Sequence, residues 1–124
     1  AISTGYILVD GGARSAVEII SGTQSIPMEK IDVIISHALA GQYLGMKLIY
    51  LESGSGASKS VEIPLIQRVS DEIDVPLIVG GGITSPRKAR KIVRAGASIV
   101  VTGSVIEGEP QKMKEFADAI HINE

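Results

Sequence analysis

Short apolar runs alternate with longer amphipathic stretches along this chain. Tyr6-Ile-Leu-Val9, Lys47-Leu-Ile-Tyr-Leu51, Pro76-Leu-Ile-Val79 and Ser98-Ile-Val-Val101 are too brief for helices. Their valine and isoleucine content predicts strands buried on both faces. The stretches between them repeat every three to four residues. Ile31, Ile35, Ala38 and Leu39 form one stripe, on a helix from about Met28 or Glu29 to Leu44, with Gly45 placed as a left-handed C-terminal residue. Leu65, Ile66, Val69 and Ile73 stripe a second helix, roughly Ile63 to Ile73. A third spans Pro86 to Ala95, capped by Ser85 and closed by Gly96, with Ala89, Ile92 and Val93 inward. A fourth runs from Pro110 to about Ile120 on Met113, Phe116, Ala117 and Ile120. Strand alternating with helix across short loops predicts a parallel α/β sheet of about four β/α units.

The strand ends carry the candidate chemistry. Tyr50-Leu-Glu-Ser-Gly-Ser-Gly56 places a carboxylate, Glu52, before a loop almost without side chains. Such a loop lets backbone N–H groups approach a ligand closely. Gly80-Gly-Gly82 and Gly103-Ser104 end the next two strands in the same manner, and a helix follows each. Adjacent glycine turns at strand C-termini resemble the phosphate cradle at strands 7 and 8 of a (β/α)8 barrel, with Gly81, Gly82, Gly103 and Ser104 as anion-binding positions. Tyr50 lies two residues before Glu52 and so shares its side of the strand. Together they form a candidate grip for a diol, with Glu52 as proton acceptor. Asp10 also ends a strand on this face, though a lone carboxylate is a weak signal.

Composition narrows the class. The chain has 124 residues, one domain's worth, with 44% apolar residues and few aromatics. A net charge of −2 gives no field to attract nucleic acid. The basic residues Arg87, Lys88, Arg90, Lys91 and Arg94 lack interleaved aromatics and belong to a solvated helix face. There is no cysteine, so thiol chemistry is excluded. His37 and His121 have no partner at metal-ligand spacing. No run approaches the ~20 apolar residues of a membrane span, and the expected location is the cytoplasm. The chain starts at Ala1 and enters a strand almost at once, which reads as an excerpt of a longer barrel of about 200–250 residues.

The blocks Tyr50-Leu-Glu-Ser-Gly-Ser-Gly-Ala57, Val79-Gly-Gly-Gly-Ile83 and Val101-Thr-Gly-Ser104 resemble geranylgeranylglyceryl phosphate synthase. Ala38-Leu-Ala40 and Tyr43-Leu-Gly-Met-Lys-Leu-Ile-Tyr50 fit as well. The Gly-Ser-Gly continuation resembles the second, mostly archaeal, group of that family. The resemblance implies a TIM barrel of which residues 1–124 are the C-terminal half, as a single domain. It implies transfer of a prenyl group from geranylgeranyl diphosphate to the 3-hydroxyl of sn-glycerol 1-phosphate, in ether-lipid synthesis. It assigns the glycerol phosphate to Tyr50, Leu51, Glu52, Ser53, Gly54, Ser55, Gly56, Gly81, Gly82, Gly103 and Ser104, with Glu52 receiving the proton. It also implies Mg²⁺, held by an aspartate on strands outside this chain. The expectation is therefore phosphate-site geometry without turnover, and two open sheet edges that invite self-association or pairing with the other half-barrel. A lipid substrate brings such an enzyme near a membrane surface. Two readings stand beside this one: another phosphate-binding barrel acting on sugar-phosphate or thiamine-type substrates, and a non-catalytic half-barrel that binds phosphate or only associates.

Overall fold

The computed structural model describes residues 2–12, 24–54, 57–102 and 111–121. Four strands, β1 (Thr4–Leu8), β2 (Leu48–Glu52), β3 (Leu77–Gly80) and β4 (Ile99–Val101), form one sheet in the order β1-β2-β3-β4, all parallel. Among the described residues, four helices alternate with them: α1 (Ile31–Tyr43), α2 (Ile63–Glu72), α3 (Pro86–Ala95) and α4 (Gln111–His121).

Alternation along each strand separates two faces. Ile7, Val9, Ile49, Leu51, Leu77 and Val79 point to one and are sealed beneath the helices. From the helices come Ile34, Ile35 and Ala38, then Leu65, Ile66 and Val69, then Ala89 and Ile92, and finally Phe116. Tyr6, Leu48, Tyr50, Glu52, Ile78, Gly80, Ile99 and Val101 occupy the other face. Coverage on both faces was the expectation from composition, and this second face corrects it in part, since Leu8, Ile78 and Gly80 are buried there but its other members are not. Tyr6 is 48% exposed, Ile99 46% and Val101 41%, because the described helices all lie on one side.

Local chemistry explains the helix boundaries. Ser85 accepts the Lys88 N–H at 3.1 Å, and Pro86 takes the first helical position of α3. Gly96, at φ 130°, closes that helix, its N–H donating to Val93 O at 3.0 Å. Gly45, at φ 91°, ends α1 as expected. The start of α1 differs from the expectation of Met28 or Glu29. Lys30 N–H bonds back to Pro27 O at 3.0 Å, so residues 27–30 form a turn and helical geometry begins at Ile31. Met28 is buried in the core from that turn rather than from the helix. Ile73 is buried too, but as an extended cap after α2. Val93 and Ile31 are only half-buried, and Ala117 is exposed, one step of about 100° round the helix from the buried Phe116. Pro110 and the side chain of Met113 lie outside the described residues. Arg90 departs from its solvated neighbours: its Nε donates to Ala119 O at 3.2 Å, tying α3 to α4.

A feature invisible in the pattern caps the outer edge of β1. Asp10 N–H donates to Ile26 O at 2.9 Å, and Ile26 N–H to Leu8 O at 3.0 Å, in a parallel bridge. The chain thus returns beside β1 at its C-terminal end.

Candidate functional site

Glu52 ends β2 level with Leu8 of β1 and Gly80 of β3. Tyr50 lies two residues earlier on the same face, level with Tyr6 and Ile78. The Tyr6 and Tyr50 rings lie 5.4 Å apart at 47°, a tilted contact worth about 0.5–1.5 kcal/mol beyond area burial. A methyl group built on Gly80 would fall 2.7 Å from Glu52 Oε2 and 2.7 Å from the Tyr50 hydroxyl. Glu52 and Tyr50 therefore converge on the space that Gly80 leaves open.

The loops above the sheet orient the carboxylate. Gly54 N–H donates to Glu52 Oε1 at 2.9 Å, from a backbone at φ 104°. Ser53 is 1% exposed and turned to the helix side; its N–H and hydroxyl both reach Gly80 O, at 3.0 and 3.4 Å. Ser53 so fastens the end of β2 to the first glycine of the next turn. Gly81, at φ 92°, abuts the pair directly: a methyl there would lie against Ser53 Oγ and 2.7 Å from Glu52 Oε1. The backbone N–H groups of Gly81 and Gly82 make no hydrogen bond among the described residues, leaving donors free beside the carboxylate. Unpaired turn amides of this kind suit an anion.

Burial raises the Tyr50 phenol far above its ordinary value near 10, and Glu52, as hydrogen-bond acceptor and as negative charge, adds to the rise. Tyr6 is raised as well, first by burial and then by the Glu52 charge. Both phenols therefore stay neutral and able to donate at any physiological pH. A neutral donor beside an acceptor is the arrangement that holds a hydroxyl-bearing ligand.

The sequence-predicted positions fall into three groups. Tyr50, Glu52, Gly54, Gly81 and Gly82 lie at one end of the sheet, at or just after the ends of β2 and β3. Leu51 is fully buried on the opposite, helix-covered face, and the Ser53 hydroxyl is directed to Gly80. Ser55, Gly56, Gly103 and Ser104 lie outside the described residues. Sequence reasoning missed Tyr6, Gly80 and Gly11. The Gly11 carbonyl accepts both the Lys59 N–H and the Ser58 hydroxyl, each at 3.0 Å, and so binds the β1 loop to the β2 loop. Tyr6 could have been found from its two-residue spacing to Leu8, but only the strand register places it against Tyr50. Asp10 turns inward on its own loop, accepting Gly12 N–H at 2.9 Å. His37 is exposed, its Nδ1 2.8 Å from Val33 O on the same helix.

The described residues around Glu52 offer a divalent metal too few oxygen donors. Among the described residues no three His, Asp or Glu side chains cluster, and Glu52 already accepts an amide at Oε1. Mg²⁺ calls for near-octahedral oxygen coordination. Nor is any described helix long and apolar enough to cross a membrane.

Known proteins are similar to this chain in sequence and fold. The chain is 48% identical over 120 residues to geranylgeranylglyceryl phosphate synthase of Chitinophaga pinensis, covering 97% of the chain and 48% of that relative. To the enzyme of the same name from Methanopyrus kandleri it is 44% identical over 119 residues, 96% of the chain and 49% of the relative. The crystal structure of (S)-3-O-geranylgeranylglyceryl phosphate synthase from Thermoplasma acidophilum, in complex with substrate sn-glycerol-1-phosphate, superposes with a TM-score of 0.89 at 34% identity, over 96% of this chain and 49% of that one. The chain spans about half the length of the relatives it matches, and its strand–helix units are half of a (β/α)8 barrel. Residues 1–120 match the PcrB family, and the chain belongs to it.

Proposed function

We propose that this chain is the glycerol-phosphate-binding half of a geranylgeranylglyceryl phosphate synthase. The observation that carries the reading is the convergence of Tyr50 and Glu52 above Gly80, next to the free amides of Gly81 and Gly82. In the proposed complex those amides hold the phosphate, joined by Gly103 and Ser104. The Tyr50 phenol donates to a glycerol hydroxyl, and Glu52 accepts from another. Ser53, Gly54, Ser55 and Gly56 complete the ligand contacts in this proposal, with Leu51 behind them in the core.

The proposed reaction forms a bond between the glycerol 3-oxygen and C1 of the prenyl chain. The C1–oxygen bond to diphosphate breaks, the leaving group takes its electron pair, and the hydroxyl proton passes to Glu52. An allylic diphosphate ionises readily, so the acceptor needs positioning and deprotonation above all. Mg²⁺ would neutralise the departing diphosphate. Its ligands are assigned to the part of the barrel that this chain does not span. Turnover accordingly requires that other half, in the cytoplasm and close to the membrane that holds the lipid substrate. The uncovered face with Tyr6, Ile99 and Val101 and the open edge of β4 fit pairing with it, or with a second copy.

The test is a titration of the 124-residue chain with sn-glycerol 1-phosphate, followed by its amide resonances. The expected result is saturable shifts at Gly54, Gly81 and Gly82, and a weaker response to the sn-3 enantiomer. An unmoved spectrum at these three amides overturns the reading.

A further inference from the structure

A cleft lies beside the Gly82 turn. It has a volume of about 480 Å³ between the loops that follow β2 and β3, and Lys59, Ser60, Glu62, Ile63, Pro64 and Lys88 are among its walls. The catalytic candidates Tyr50 and Glu52 are not among its walls. Lys59 and Lys88 bring two exposed ammonium groups against one carboxylate, Glu62, so the cleft is cationic by one charge.

Two features of its floor are left without partners. Ser60 is 7% exposed, yet its hydroxyl makes no hydrogen bond among the described residues. No buried side-chain polar atom there goes unpaired, so the Ser60 oxygen is not sealed in the core: it opens to the cleft it lines. The N-terminus of α2, ten residues long, also opens here without a side-chain cap. Pro64 has no N–H, which leaves the amides of Ile63 and Leu65 as free donors of the first turn. A tetrahedral oxyanion satisfies both at once, with the helix dipole and the two lysines supplying positive potential.

We propose that this cleft is a second phosphoryl-anion subsite, held by the Ser60 hydroxyl, the first turn of α2, Lys59 and Lys88. Its ligand class is a phosphate, taken either as free phosphate or diphosphate or as the headgroup of an anionic lipid. It is independent of the glycerol-phosphate reading, because Tyr50, Glu52 and Gly54 do not line this cleft and the two sites share only Gly82.

The experiment uses the whole chain with the first site saturated by sn-glycerol 1-phosphate. Inorganic phosphate, diphosphate and vesicles of phosphatidylglycerol are then added in separate arms, with phosphatidylcholine vesicles as control. Amides of Ser60, Val61, Ile63 and Leu65 should shift saturably. K59A/K88A, which alters only exposed side chains, should weaken the response at least about tenfold, as expected when charge-assisted contacts are lost. Ser60→Ala should weaken it without moving the glycerol 1-phosphate response. Shifts with the free anions identify a soluble ligand; broadening by phosphatidylglycerol vesicles alone identifies a headgroup. If no arm moves these amides, or if K59A/K88A responds as the parent does, the subsite does not exist. Loss of the glycerol 1-phosphate response alone would instead strike the first reading and leave this one standing.

Discussion

Glu52 faces Gly80 across the β2–β3 pair, and the carboxylate fills the room that the missing side chain provides. Gly80→Ala would put a methyl 2.7 Å from Glu52 Oε2 and from the Tyr50 hydroxyl, and 3.2 Å from Val101 Cβ. The first two obstacles are the mobile ends of side chains, so the fold should yield cheaply, with a stability loss below about 1.5 kcal/mol. The pair itself must move apart. Calorimetric titration should find glycerol 1-phosphate affinity down at least about tenfold. An unaltered affinity would separate the pair from ligand binding.

Gly82→Ala should behave in the opposite manner. Its φ is 65°, and the added methyl would meet the backbone of Lys59 and Ser60 at 2.7 Å. Backbone cannot swing aside, so a stability loss of about 2 kcal/mol or more is expected. Urea denaturation of the two variants side by side measures the contrast.

Glu52→Gln keeps the shape and can still accept from Gly54, but it is a far poorer base. Binding of glycerol 1-phosphate should change by less than about tenfold. In a barrel completed with the other half, turnover should fall by about 10² to 10⁴, the usual range for a removed general base. The 124-residue chain alone should turn over neither the parent nor the variant reaction; product from the chain alone would contradict the assignment of the Mg²⁺ ligands elsewhere.

The raised phenols predict an alkaline signature. Tyr6 and Tyr50 hold their protons more tightly folded than unfolded. Below pH about 10 both states are protonated, and the contribution is fully present. Above it the unfolded chain ionises first, so stability falls as pH rises toward the folded values. Tyrosinate absorbance should therefore lag in the native protein relative to guanidinium-unfolded chain, and Glu52→Gln should narrow the lag. Equal titration of both states would refute the grouping of Tyr6, Tyr50 and Glu52.

Phe116 is the chain's one phenylalanine and is 2% exposed, anchoring α4. Phe116→Ala should cost about 3–5 kcal/mol in urea unfolding. Ala117→Ser, next to it but exposed, should change stability by less than about 0.5 kcal/mol.

Periodicity along the chain by itself determined the four strands, the helices between them, and the caps at Ser85, Gly45 and Gly96, because those depend on neighbours within a few residues. The same local signal placed Tyr50 and Glu52 on one side of a strand. It could not say what lies across from them. That Gly80 makes the room, that Tyr6 stacks on Tyr50, and that Ile26 returns to β1 are matters of register and loop packing between distant segments, set only when the sheet assembles. The partly uncovered second face was also beyond local pattern: valine-rich strands predict burial, but whether both faces find a cover depends on how much barrel surrounds them.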